Sequence, residues 1–158
     1  MPSSGSAITI PAGLTNYPVL SGDVIVADLS IASGTTLSLN GNRLTISGSL
    51  TGTGTLVGSS TSSLEVTGSG ALGTLYFSTT TPGTSNALQD LVMNRTSSGT
   101  ITLGNTLNVY GTITPTAGTL NTGGYLVLKS NASGTARIAA GSGTYINGEV
   151  TVERYIPN

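Results

Sequence analysis

From Gly34 to Gly58 the chain alternates apolar and polar residues in very short runs, Leu37-Ser38-Leu39, Leu44-Thr45-Ile46 and Leu56-Val57, each closed by Gly, Asn or Ser. Successive side chains of an extended chain point to opposite sides. Each run therefore predicts a strand of a few residues with one buried side, ending in a tight corner. The same grammar returns about 64 residues later, where residues 98–103, Leu107-Asn108-Val109, 111–114 and Gly118-Thr119-Leu120 echo residues 33–39, Leu44-Thr45-Ile46, 48–51 and Gly54-Thr55-Leu56 in order. Over the whole chain the strongest apolar triplets are Leu44-Thr45-Ile46, Leu64-Glu65-Val66, Leu91-Val92-Met93, Leu107-Asn108-Val109, Leu126-Val127-Leu128 and Val150-Thr151-Val152. Their spacings of 20, 27, 16, 19 and 24 average about 21, a period typical of repeat architectures. The longest spacing contains the polar run Ser78–Ser85, which predicts a loop bulging from one turn.

A period of this length with two or three short strands in it suits a parallel β-helix, in which each turn carries its strands round corners and stacks on the turn before. The competing all-β architecture is a sandwich of antiparallel hairpins, with turn signals every 8 to 12 residues. Asn-Gly, the strongest hairpin signal, occurs only at Asn40-Gly41 and Asn147-Gly148, which favours the solenoid. The expected fold is all-β, a single-stranded right-handed parallel β-helix (β-solenoid) of about seven turns of about 21 residues, roughly 35 Å long at the usual strand spacing. Right-handedness rests on the general preference of parallel crossovers. Residues 1–22, with Pro11 and Pro18 unable to donate to a central ladder, form an N-terminal edge or cap. Residues 23–148 form the turns, with a loop insertion near 78–86, and residues 149–158 an exit strand or cap. Helix competes with strand only over Asn86–Arg95, where Leu88, Leu91 and Val92 fit one helical turn and Leu91-Val92-Met93 equally continues the alternation.

Composition agrees with this picture. Gly, Thr and Ser supply 71 of the 158 residues, yet hydrophobic residues reach 37% and the formal charge is only −1, which separates the chain from disordered linkers. Gly serves corners that need positive φ, and β-branched Thr favours strands while presenting a hydroxyl outward. Five Lys and Arg spread along the chain make no basic patch for nucleic acid. The longest apolar runs, such as Val24–Ala27 and Tyr125–Leu128, fall far short of a helical membrane span, so no membrane insertion is expected. The opening Met1–Ser6 lacks the basic and apolar regions of a secretory leader, and a piece cut from a larger protein is expected.

Candidate chemistry is sparse. The carboxylates are Asp23, Asp28, Glu65, Asp90, Glu149 and Glu153, and the close pair Asp23 and Asp28 has no basic residue within ten positions, so it reads as a solvated corner pair. The calcium repeat G-G-x-G-x-D is absent, and with no His or Cys no transition-metal centre and no cofactor is expected. Asn94-Arg95-Thr96 and Asn131-Ala132-Ser133 fit the glycosylation acceptor pattern and read as turns. Threonine rows such as Thr51–Thr55, Thr100–Thr102 and Thr112–Thr116 raise ordered-water or ice binding, against the plain reading of Thr as the outward residue of a β-helix. Tyr110, Tyr125 and Tyr145 recur at 15 and 20 residues, near one turn, and suggest a stripe that stacks on sugars; a packed, partly buried stack is the alternative.

Residues 44–59, L-T-I-S-G-S-L-T-G-T-G-T-L-V-G-S, residues 118–138, and the closing G-E-V-T-V-E-R-Y-I-P resemble Gly/Thr/Leu-rich β-helical segments of very large extracellular proteins of Bacteroidetes exported by the type IX system. The resemblance implies a cell-surface or secreted location, an adhesin-like or spacer role, and an export domain elsewhere in the parent. It offers no catalytic residues. The expectation is a non-catalytic structural stalk or adhesin element. The alternatives are a solenoid that self-assembles end to end, with Glu149, Glu153, Arg154 and Pro157 guarding the C-terminal end, and a module that binds a surface glycan or ice.

Overall fold

The computed structural model describes residues 5–96, 98–140 and 145–157. Met1–Ser4, the start of the expected N-terminal cap, Gly141–Thr144 at the end of the expected turns, and the terminal Asn158 lie outside them. Among the described residues there is no helix, and all strand pairing is parallel apart from one small hairpin. The chain is a β-solenoid of about seven turns, and each turn visits three faces in order.

The first face stacks Ile8–Ile10, Leu29–Ile31 and Leu50–Thr51, then Thr74–Leu75, Thr100–Leu103, Thr119–Asn121 and Ile146–Asn147. Leu50 N–H donating to the Leu72 carbonyl at 2.7 Å joins its two halves. The second face stacks Thr36–Ser38 and Thr55–Val57, continues through a bridge from Leu56 to Phe77, and resumes with Ala87–Leu88, Leu107–Val109, Leu126–Leu128 and Val150–Val152. The third face is an unbroken six-stranded sheet of Val24–Val26, Arg43–Ile46, Ser63–Val66, Asp90–Asn94, Thr112–Ala117 and Arg137–Ile138.

The inward side chains repeat in register. On the third face Val24, Leu44, Leu64, Leu91 and Ile113 form one ladder, and Val26, Ile46, Val66, Met93 and Pro115 the next. Leu37 and Leu56, then Leu107 and Leu126, do the same on the second face, as Leu29 and Leu50, then Ile101 and Leu120, do on the first. These ladders meet in a single apolar core. Each buried Leu or Ile stabilises the fold by about 1.5–3 kcal/mol.

The 64-residue echo is not the stacking register. Leu44-Thr45-Ile46 lies on the third face, whereas Leu107-Asn108-Val109 lies on the second. The residue stacked three turns above Leu44 is Ile113, not Leu107. The triplet series likewise follows the third face through Met93 and then crosses to the second, which is why its third spacing, 16, is short. Strands on all three faces obey one apolar/polar rule, so local pattern matching cannot say which face a strand joins. The window Asn86–Arg95 is strand, as Ala87–Leu88 and Asp90–Asn94, because both pieces find edges to pair with and inward sites for Leu88, Leu91 and Met93.

The corners are built by specific devices. Asn40 and Gly41 both take left-handed conformations (φ 49° and 79°), and Asn42 N–H donates to the Leu39 carbonyl at 2.9 Å, so this Asn-Gly turns a solenoid corner instead of a hairpin. Gly52 (φ 87°) sits where a Cβ would strike the Ile31 carbonyl of the turn below. Between Phe77 and Ala87 the chain leaves the second face as a turn-rich loop. The gap is closed by one side chain: Asn105 accepts from Phe77 N–H at 2.8 Å and donates to the Phe77 carbonyl at 2.7 Å, replacing a missing strand partner.

Arg95 holds the wide corner between the third and first faces. It is 1% exposed, and its guanidinium donates to the carbonyls of Gly70 at 2.8 Å, Thr67 at 2.5 Å and Ser69 at 2.5 Å. Burial pushes its pKa below the usual guanidinium value. Replacing it with an apolar side chain strands three acceptors, so Arg95→Met is expected to lower unfolding stability by on the order of 3 kcal/mol. Arg95→Lys should recover only part of this, because one ammonium cannot reproduce the planar fork. Urea denaturation of the three proteins measures both; equal stability of wild type and Arg95→Met would remove the corner-lock account.

Candidate functional site

The carboxylates of the chain are mostly occupied in stacking turns. Asp23 accepts from Arg43 N–H at 2.8 Å, Asp28 from Ser49 N–H and Ser49 Oγ at 2.7 Å each, and Asp90 from Thr112 N–H at 2.8 Å. In each case an aspartate at a corner or strand start caps a backbone donor one turn above, Asp23 and Asp90 at the start of third-face strands and Asp28 just before the first-face strand Leu29–Ile31. Asp23 and Asp28 flank Val24–Val26 at its opposite ends, so the expected acidic pair is two separate turn caps. Among the described residues no three acidic, His or Cys side chains gather into a metal site.

The tyrosines do not form a stripe. Tyr110 follows Leu107–Val109, at the corner from the second to the third face. Tyr125 precedes Leu126–Leu128, at the corner from the first to the second face, and Tyr145 precedes Ile146–Asn147, at the corner entering the first face. Their spacings approximate a turn, yet one falls on each corner. The threonine rows are similarly divided, with Thr100 and Thr102 on the first face, Thr112 and Thr114 on the third, and Thr51–Thr55 running round a corner.

The concave site lies elsewhere, along the corner between the second and third faces. A cavity of about 480 Å³ is lined by Ser60, Gln89, Tyr110, Asn131, Thr135 and Arg137, among others. These belong to four successive turns. Two departures from the solenoid shape it, one by holding the Tyr110 ring and one by lining it. One is the loop after Phe77, whose Gly83 carbonyl accepts from Tyr110 Oη at 3.0 Å and so fixes that ring. The other is the antiparallel hairpin of Ser130–Asn131 and Gly134–Thr135, tied by a 2.6 Å hydroxyl contact between Ser130 and Thr135. A second cavity of about 420 Å³ on the third face shares Thr112 and Arg137 with the first.

An outward row runs along the floor of this second cavity. Arg43, Ser63, Asp90, Thr112 and Arg137 are direct neighbours in register, with Asp23 bonded below Arg43. Arg43 is held between Asp23 at 3.9 Å and Glu65 at 3.4 Å. Arg137, at the other end, is exposed and makes no ion pair among the described residues. Sequence reading missed this groove because its walls come from residues up to 77 positions apart, from Ser60 to Arg137.

Two carboxylates have pKa values below the ordinary range: Asp28, through its hydrogen bonds from the Ser49 hydroxyl and then the Ser49 N–H, and Glu153, through its bond from the Lys129 ammonium. A depressed folded-state pKa contributes stability that is present above the unfolded value, about 4, and is lost as pH falls through the folded value. The melting temperature is therefore expected to fall below about pH 4. Asp28→Asn, which keeps an acceptor but does not titrate, should flatten that fall, and an unchanged pH slope in this variant would sink the assignment. No protein-family model, no curated protein and no solved structure matches this chain.

Proposed function

We propose that this chain is a non-catalytic structural element, a rigid spacer or display arm of a cell-surface or secreted protein. One observation carries the reading: the interior is filled from end to end by stacked Leu, Ile and Val ladders, while the outward positions are largely Thr and Ser. Aspartates that elsewhere supply acid–base chemistry are here bonded to backbone donors of the next turn. The likeness of residues 44–59 and 118–138 to β-helical segments of large exported proteins supports the same reading.

A second reading, end-on association of copies, has its own observation. At the N-terminal end an apolar mouth of about 150 Å³ opens among Ile8, Pro18, Leu20, Val24 and Leu37, and Val152 and Ile156 are exposed at the other end. Solenoid ends also present unpaired strand edges. Sedimentation that gives only monomer up to millimolar concentration removes this reading.

A spacer made of stacked turns should be shortened by whole turns. Arg43 and Ser63 are register partners, so deleting residues 43–62 places Ser63 where Arg43 stood. The chain has no Cys, so Thr9→Cys and Thr151→Cys create unique spin-label sites on its first and last turns. One narrow label-to-label distance is expected, on the order of 30 Å, reduced by about 4.8 Å in the deletion variant. A broad distribution, or a deletion variant that no longer folds, overturns the rigid modular spacer.

A further inference from the structure

We propose that the corner groove between the second and third faces binds a carboxylated oligosaccharide, with Arg137 receiving the carboxylate and Gln89 and Tyr110 engaging the sugar rings. The inference rests on the display reading above and gives that surface a ligand class.

The groove's position is the first argument. The groove adjoins the third-face cavity, with which it shares Thr112 and Arg137. The chain departs widely from the stack on this side, in the loop after Phe77 and in the Ser130–Thr135 hairpin, and Tyr110 stands between them. Loops set on a rigid scaffold are where binding residues concentrate. Stacked turns rise about 4.8 Å each, so a groove spanning four of them is roughly 14 Å long, and with a volume of about 480 Å³ it falls within the range of small-ligand sites.

Its chemistry is the second argument. Among the described residues the Gln89 amide and the Arg137 guanidinium have no hydrogen-bond or ion-pair partner. The Asn131 side-chain oxygen accepts from Ser133 N–H at 2.8 Å, which orients its amide N–H₂ outward as a further donor. Hydroxyls of Ser60 and Thr135 line the same walls. Amides and hydroxyls beside one oriented aromatic ring suit a sugar, which presents hydroxyl groups in its plane and C–H groups on its face. Among the described residues lining the groove no Leu, Ile, Val or Phe supplies an apolar pocket for a peptide's side chain, and the backbone beneath is already paired: Arg137 N–H donates to the Gly111 carbonyl and Thr112 N–H to Asp90.

Charge selects among sugars. Arg43 is neutralised by Asp23 and Glu65, and Asp90 is occupied by Thr112 N–H. Among the described residues lining the groove Arg137 is the cation without an ion pair, and its planar fork matches a carboxylate bidentately. A uronic-acid-type residue fits this arrangement better than a neutral hexose.

The test titrates the whole chain with trigalacturonate and with its methyl ester, following binding by calorimetry and by perturbation of groove resonances in NMR spectra. Saturable binding of the acid is expected, at least tenfold weaker for the ester. Arg137→Gln should weaken the acid by a similar factor and erase the difference between acid and ester. Gln89→Leu should weaken both saccharides alike. Arg137 is exposed, so Arg137→Gln should keep the wild-type melting temperature, and Thr102→Ala on the first face, outside both cavities, should bind as wild type does. Absence of saturable binding to either saccharide overturns the proposal, as does equal affinity for acid and ester or an Arg137→Gln protein that binds like wild type. Any of those results leaves the distance measurements on the spacer unaffected, so the two readings fail independently.

Discussion

Every turn of this molecule must hand its backbone donors and acceptors to the turn above and the turn below. The structure depends on that constraint more than on any single contact. Parallel pairing aligns like positions, so whatever side chain occupies a site is stacked on the equivalent side chain about 4.8 Å away. Apolar residues stacked inward then make a continuous core, as in Val24, Leu44, Leu64, Leu91 and Ile113. Charges stacked outward would repel unless they alternate or are bonded, and the row of Asp23, Arg43, Ser63, Asp90, Thr112 and Arg137 alternates in sign with neutral residues between. The low charge of the whole chain follows from the same geometry.

Where turns cannot be identical, polar side chains take over the backbone's work. Asn105 supplies both groups that Phe77 needs when the strand opposite it is displaced. Arg95 satisfies three carbonyls of a corner that is too wide to close on itself. Asp23, Asp28 and Asp90 cap single N–H groups at strand ends. Among the described residues no buried side-chain nitrogen or oxygen is left without a partner, so these irregularities are built into the fold at little cost. The same departures shape the corner between the second and third faces. The hairpin lines a groove whose Tyr110 ring the loop holds, and Gln89 and Arg137, without a hydrogen-bond or ion-pair partner among the described residues, line it as well.

Sequence alone determined the class of fold, the length of the period and the identity of the inward residues. The reason is physical: strand alternation is local, and a solenoid repeats it often enough for corners, ladders and the Ser78–Ser85 excursion to be read directly. It did not assign strands to faces, because all three faces follow the same apolar/polar rule; this is why the 64-residue echo and the spacing of Tyr110, Tyr125 and Tyr145 pointed to alignments that the turns do not make. Only the tertiary structure decided those registers, the burial of Arg95 and the capping role of Asp28, each of which depends on partners between 20 and 28 residues away. The groove was decided there too. Its walls come from four turns, and which outward side chains share a corner is set by how many residues each turn spends between faces, a quantity that stacking fixes and local pattern leaves open.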